Sequence, residues 1–73
     1  MKLTRKQASM VRRTIIFNLN DELKGFKSSK ACQDWLFSQY PKYDYTYATN
    51  TFYCEKWDYS VWYCKDLDKW IAG

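Results

Sequence analysis

The first third of the chain has the hydrophobic spacing of a long amphipathic helix. A capping box at Thr4 and Gln7 predicts that this helix begins at Arg5. Gly25 accepts a left-handed backbone conformation, so the helix is predicted to end near Lys24. The apolar side chains that recur on one face at 3.6 residues per turn are Ala8, Val11, Ile15, Ile16, Leu19, Leu23 and Phe26.

Residues 14–20 fit this helix less well than their neighbours. Residues 14–17 are β-branched or aromatic, and Asn18 and Asn20 are poor helix formers that could divide the element into a helix and a turn. Neither proline nor glycine interrupts residues 5–24, which favours a helix throughout. The sequence alone leaves helix and strand both open for this segment.

A second helix is predicted between residues 28 and 41. Ser28 and Ser29 supply the N-terminal cap, and Pro41 ends the element. The side chains on its predicted apolar face are Cys32, Trp35, Leu36 and Tyr40.

From Lys42 onward the hydrophobic period changes to two, which is typical of β-strands. Tyr43, Tyr45 and Tyr47 alternate with polar or small residues. These three rings are expected to pack beneath the second helix. The alternative is that they form a platform on which unpaired bases stack.

Two turns divide the segment after Lys42 into three strands. A turn at residues 49–50 pairs Tyr45 with Cys54, and a turn centred on Tyr59 sets Cys54 opposite Cys64. The face predicted to point inward contains Tyr43, Tyr45, Tyr47, Phe52, Cys54, Trp62 and Cys64. The face predicted to point outward contains Asp44, Thr46, Thr51, Tyr53, Glu55, Trp57, Val61, Tyr63 and Lys65.

These elements predict one small α+β domain over residues 1–73. Two N-terminal helices are expected to pack on the apolar face of a three-stranded antiparallel β-meander. The tail, residues 66–73, fits either a short C-terminal helical turn capped by Asp66 or an extension of the strand. Trp70 and Ile71 are expected to be buried in either arrangement.

Composition argues against several function classes. Histidine is absent, which removes the commonest general base and the commonest metal ligand. The three cysteines lack C-x-x-C spacing, so they are expected to stay reduced and to fill gaps in the core, although a Cys54–Cys64 disulfide would fit the predicted register. The two glycines form no phosphate-binding loop. We expect no enzyme activity, no metal and no cofactor.

The chain is also expected to be cytoplasmic. It shows no secretory signal and no transmembrane segment, because its longest aliphatic run is Ile15-Ile16-Phe17.

Two groups of residues are candidates for contact with a partner. Tyr53, Trp57 and Tyr63 lie on the predicted outer face, where large exposed aromatic rings mark a binding surface unless the tail covers them. The net charge of +4 is concentrated at the N-terminus, where residues 1–13 hold five basic side chains and no acidic one. The basic side chains predicted to contact phosphate or an acidic surface are Arg5, Lys6, Arg12 and Arg13. The alternative for them is an ordinary solvated helix face.

The absence of catalytic groups, together with a candidate partner face, suggests a non-catalytic binding module. The expected role is a protein–protein inhibitor or adaptor that occupies the surface of a macromolecular partner, by analogy with small proteins that phages and mobile elements encode against host machinery. The first alternative is a nucleic-acid-binding protein that uses the basic helix and aromatic stacking. The second is a structural or self-associating subunit, such as a dimer formed through free edge strands.

Overall fold

The structure, a computed structural model, describes residues 2–73 and confirms the α+β class. The elements are α1 (Arg5–Lys24), α2 (Ser29–Ser38), β1 (Asp44–Thr46), β2 (Thr51–Cys54), β3 (Tyr59–Cys64) and β4 (Lys69–Ala72). The strands form one antiparallel sheet in the order β1-β2-β3-β4. The prediction of three strands is therefore wrong, since the tail forms a fourth strand rather than a helical turn.

The helix α1 begins as its capping box predicts. The Gln7 amide donates to Thr4 Oγ1 over 3.1 Å, and the Thr4 amide donates to Gln7 Oε1 over 2.9 Å. Residues 14–20 are helical without interruption. Gly25 ends the helix in a right-handed conformation, with φ −78°, so the expected left-handed cap is wrong. Its amide donates to the Glu22 carbonyl instead.

Asn20 is a poor helix former within α1, and its contacts with β4 explain why it stands there. Its side-chain amide donates to the Ala72 carbonyl over 2.9 Å, and its Oδ1 accepts from the Ala72 amide over 2.8 Å. One side chain therefore satisfies both backbone groups of a residue in the edge strand β4. This contact holds α1 along that edge of the sheet.

The helix α2 crosses the sheet from β4 toward β1. Ser28 Oγ caps it by accepting from the Ala31 amide over 3.1 Å. The indole nitrogen of Trp70 donates to the Ser29 carbonyl, which joins the start of α2 to β4. Tyr40 lies beyond the end of the helix and is 80% exposed, so its predicted place on the apolar face is wrong.

All three hairpins of the sheet use a turn of four residues, at 47–50, 55–58 and 65–68. Each turn ends in an Asn or Asp with positive φ: Asn50 at 50°, Asp58 at 54° and Asp68 at 50°. These residue types tolerate the left-handed region at low cost, which fixes where each turn ends.

A tyrosine five residues before each of these turn residues reaches across the turn to it. The hydroxyl of Tyr45 donates to Asn50 Oδ1 over 2.6 Å, and that of Tyr53 donates to Asp58 Oδ1 over 2.8 Å. Tyr63 donates to Asp68 in the same way. Residues 53–58 and 63–68 share the spacing Tyr-Cys-x-x-x-Asp, a short internal repeat that builds the same turn twice.

The register of the second hairpin differs from the predicted one. Cys54 lies opposite Tyr59, not Cys64, because the turn occupies residues 55–58 and Tyr59 is already in the strand. The shift is an odd number of residues, so every side chain of β3 lies on the other face from that predicted. Val61 and Tyr63 therefore face the helices.

The core lies between the two helices and the helix-covered side of the sheet, which we call the inner face. Its strand residues include the fully buried Phe52, Cys54, Tyr59 and Val61. Tyr43 is also buried, as predicted, and its hydroxyl shares a 2.8 Å hydrogen bond with that of Tyr59. The helical side chains buried against this face are Leu19, Leu23, Cys32 and Leu36.

The predicted row of inward tyrosines is only partly correct. Tyr45 is half-buried and packs against the core, but Tyr47 is 88% exposed because it has already entered the first turn. The prediction that Trp70 and Ile71 are buried is correct only for Trp70. Trp70 is buried on the inner face, whereas Ile71 is half-buried on the opposite face.

Candidate partner-binding surface

The side of the sheet that points away from the helices is the candidate site, and we call it the outer face. Both helices pack on the inner face, and within residues 2–73 no helix lies over the outer one. None of its side chains is fully buried. They are Asp44, Thr46, Thr51, Tyr53, Ser60, Trp62, Cys64, Lys69 and Ile71.

Trp62 is at the centre of this outer face. It stands in the middle of β3, directly opposite Thr51 on one side and Ile71 on the other. Its side chain is 38% exposed. The ring lies over the backbone of Gly73, since a Cβ atom added there would be only 2.8 Å from Cη2 of the indole. A residue without a side chain therefore lets the indole lie along the sheet.

The charged groups of the outer face lie at its two edges. Asp44 stands on β1 and Lys69 on β4, while the middle carries hydroxyl, thiol and apolar side chains. An indole bordered by hydroxyl, thiol and apolar side chains suits contact with a protein surface, where an aromatic anchor is buried and nearby polar groups form hydrogen bonds.

Of the three aromatic residues predicted to contact a partner, Tyr53 lies on the outer face. It is half-buried, and its hydrogen bond to Asp58 raises the pKa of the phenol above its ordinary value, so it stays protonated at neutral pH. Trp57 lies in the second turn, half-buried against the core, with Lys56 Nζ 5.8 Å from its ring centroid. Trp57 is thus beside the outer face rather than on it.

Tyr63 is not on the outer face, and its predicted exposure there is wrong. Its ring packs against Trp70 with the centroids 5.7 Å apart, on the helix-covered side of the sheet. The shift in register moves it inward and moves Trp62 outward. The Tyr-Cys-x-x-x-Asp repeat was the sequence signal that could have placed the second turn correctly and revealed Trp62.

The four basic candidates do not share a helix face. Arg5 and Arg12 are seven residues apart, which is about 20° around the helix, and Lys6 and Arg13 form a second pair about 100° away. Arg12 is half-buried and its Nε donates to the Asp58 carbonyl over 2.6 Å. This arginine therefore joins α1 to the second turn.

Lys6 and Arg13 are exposed on the side of α1 that points away from the core. On the same side of the helix, Met10 lies between Lys6 and Arg13 and is 60% exposed, and Phe17 lies about one turn after Arg13 and is 76% exposed. This outward strip of α1 is basic and apolar, and it is distant from the outer face of the sheet.

The cysteines are all free, with Cys32 on α2 and Cys54 and Cys64 on the sheet. Cys32 and Cys54 are buried, and burial raises the pKa of the Cys32 thiol to about 11, so this thiol is inert near neutral pH. Cys64 is half-buried on the outer face. The predicted opposition of Cys54 and Cys64 is wrong because they lie on different faces of the sheet.

Residues 2–73 contain no group of three or more His, Cys, Asp and Glu side chains arranged to hold a metal ion. They also contain no helix with the length and apolar character needed to cross a membrane.

Comparison with known proteins adds no assignment. No protein-family model matches the chain, and neither a curated protein nor a solved structure is significantly similar to it.

Proposed function

We propose that the protein is a non-catalytic binding module that occupies the surface of a protein partner with the outer face of its sheet. Trp62 is the anchor of this contact, with Tyr53 and Ile71 beside it. The module acts as an inhibitor or adaptor in the cytoplasm. The observation that carries the proposal is the position of Trp62, an indole at the centre of a sheet face that no helix covers within residues 2–73.

The exposed part of Trp62 is apolar surface that folding does not bury and that a partner can cover. In a two-layer fold, the solvated face of an antiparallel sheet ordinarily carries polar side chains. Covering the remaining 38% of this indole supplies on the order of 2 kcal/mol, at ~25 cal/mol per Å² for a ring of about 250 Å². That value is in the range that defines the dominant residues of protein interfaces.

The structure favours a protein partner over nucleic acid. Base stacking needs exposed rings in a row, but Tyr43 is only 3% exposed and Tyr45 is half-buried. Of the four basic candidates, only Lys6 and Arg13 share an exposed face of α1. Both observations count against nucleic-acid binding, which the experiment below tests as the alternative.

Replacing Trp62 with Ala is expected to weaken partner capture by about thirty-fold, which corresponds to roughly 2 kcal/mol. The measurement immobilises the wild-type chain and the variant and titrates the protein that the wild type captures from host lysate. Phe17→Ala is the matched control, because this ring is 76% exposed but stands on the outward strip of α1. The control is expected to bind like the wild type.

A second replacement, Trp62→Thr, separates loss of contact from loss of fold, because a β-branched residue suits the middle of a strand. Circular dichroism checks that both variants keep the native spectrum. Full affinity in folded Trp62 variants would contradict the proposal. Loss of the captured species on nuclease treatment, with a steep dependence on salt, would instead support the nucleic-acid alternative.

A further inference from the structure

The two edges of the sheet differ in whether another element covers them. At the β4 edge, Asn20 forms hydrogen bonds with both backbone groups of Ala72, and α1 packs along the strand. At the other edge, β1 has β2 on one side and no strand or helix of residues 2–73 hydrogen-bonded on the other. The sheet therefore has one covered edge and one open edge.

The pattern of hydrogen bonds identifies which backbone groups of β1 face outward. In an antiparallel ladder, residues alternate between bonding to one neighbour and to the other. Ser60 and Gly73 exchange two backbone hydrogen bonds, of 2.9 and 3.0 Å. The N–H and C=O of the adjacent Ala72 therefore point away from β3, and Asn20 forms hydrogen bonds with both. This shows the alternation directly at the β4 edge.

The same alternation applies to β1. Its turn at residues 47–50 has the same length as the turn at 65–68 and closes on the pair Thr46–Thr51. Thr46 and Asp44 therefore bond to β2, and Tyr45 presents its N–H and C=O to the open edge. Tyr45 is the central residue of the strand.

Exposed aromatic rings are concentrated beside this open edge. Tyr40 is 80% exposed, Tyr47 is 88% exposed and Phe37 is 44% exposed. Phe37, Tyr40 and Tyr45 line a groove of about 310 Å³ between the end of α2 and β1. The ring of Phe37 packs edge-on to Tyr45, with the centroids 4.7 Å apart. Apolar surface thus flanks the open edge on the helix side and at the first turn.

We propose that β1 pairs with β1 of a second copy of the chain, antiparallel and across a two-fold axis at Tyr45. The two Tyr45 residues exchange a pair of backbone hydrogen bonds, and the two sheets join into one of eight strands. In this register Asp44 lies opposite Thr46 of the second copy. Centring the axis one residue earlier would oppose the two Asp44 carboxylates, which is unfavourable.

The area available at this edge is enough for a weak, specific dimer. At about 200 Å² per ring, the exposed parts of Phe37, Tyr40 and Tyr47 amount to roughly 400 Å² in each copy. Two copies together with the paired backbone reach about 1,000 Å², the lower limit for a specific interface. A dissociation constant in the micromolar range is therefore expected.

The asymmetry between the edges also limits the assembly to two copies. A sheet with two open edges can add copies without end, but pairing β1 with β1 consumes the open edge of both chains. The dimer places two copies of the outer face side by side on one sheet. This inference goes beyond the proposed function and does not depend on it.

Sedimentation velocity from about 1 μM to 1 mM tests the dimer directly. The expected result is a mass that rises with concentration from 8.9 kDa toward twice that value. The double variant Tyr40→Lys with Tyr47→Lys is expected to dimerise at least ten-fold more weakly. Phe17→Lys is the control, since it places a lysine at an exposed ring far from β1, and it is expected to leave dimerisation unchanged.

A backbone variant removes both hydrogen bonds between the two Tyr45 residues and leaves every side chain unchanged. The chain can be synthesised with N-methyl-Tyr45 and ligated at Cys54, which deletes one outward N–H and retains the ring. Dimerisation at least ten-fold weaker, with an unchanged circular dichroism spectrum, supports the proposal. A chain that stays monomeric at 1 mM, grows beyond two copies, or dimerises equally well in both variants would overturn it.

Discussion

Replacing Phe52 with Ala is expected to destabilise the fold by about 3–5 kcal/mol. A chain of 73 residues has a total stability of roughly 4–11 kcal/mol, so this loss is about a quarter or more of the free energy of unfolding. Phe52 is 1% exposed and stands at the centre of the inner face. The rings within contact of it are Phe37, Tyr43, Tyr45 and Trp70, with centroids 4.7 to 6.2 Å away.

Phe37→Ala is the control for this prediction. Phe37 belongs to the same group of rings, 4.9 Å from Phe52, but is 44% exposed. Its replacement is expected to cost about 1–2 kcal/mol, because less of its surface is removed from water on folding. Urea unfolding followed by circular dichroism measures both. Equal losses in the two variants would show that the core is not centred on Phe52.

Replacing Asn20 with Ala is expected to destabilise the fold by about 2 kcal/mol. The change removes two hydrogen bonds and leaves the Ala72 N–H and C=O partly buried without their partner. The higher helix propensity of Ala offsets only about 0.5 kcal/mol of this loss. The variant also uncovers the β4 edge, so we expect it to aggregate at concentrations where the native chain does not.

Asn18→Ala is the matched control, since Asn18 is exposed two residues earlier in the same helix. It is expected to leave stability unchanged or to raise it slightly. Urea unfolding and light scattering measure the two effects. Asn20→Ala and Asn18→Ala with the same unfolding free energy would refute the role assigned to Asn20 at the sheet edge.

Local signals in the sequence predicted the helices well. The capping box at Thr4 and Gln7 and the cap at Ser28 act over three residues, so they can be identified without knowledge of the rest of the fold. The role of Asn20 could not be predicted in this way. Its partner, Ala72, is 52 residues away and exists only once β4 has formed.

The sheet was harder to predict because register depends on where each turn ends. The first hairpin has the predicted facing, with Tyr45 inward, although its partner is Phe52 rather than Cys54. In the second hairpin the sequence predicts a turn centred on Tyr59, but the residue that adopts positive φ and ends the turn is its neighbour Asp58. That difference reverses the facing of β3.

The candidate site was affected by the same error. Tyr53 precedes the second turn and was correctly placed on the outer face, because its facing depends only on the first hairpin. Trp62 and Tyr63 follow the second turn and exchanged places. The basic residues were grouped by sequence, but the period of the helix separates Arg5 and Arg12 from Lys6 and Arg13.

The outward position of Trp62 is the claim on which the binding surface depends, and proton contacts across β2 and β3 test it most directly. In the register described above, Thr51–Trp62 and Tyr53–Ser60 are the closely spaced pairs that do not exchange hydrogen bonds. Strong nuclear Overhauser effects between the Hα protons of both pairs are the predicted result. Contacts that instead join Cys54 with Cys64, or Tyr53 with Lys65, would place Trp62 in the core and contradict the account.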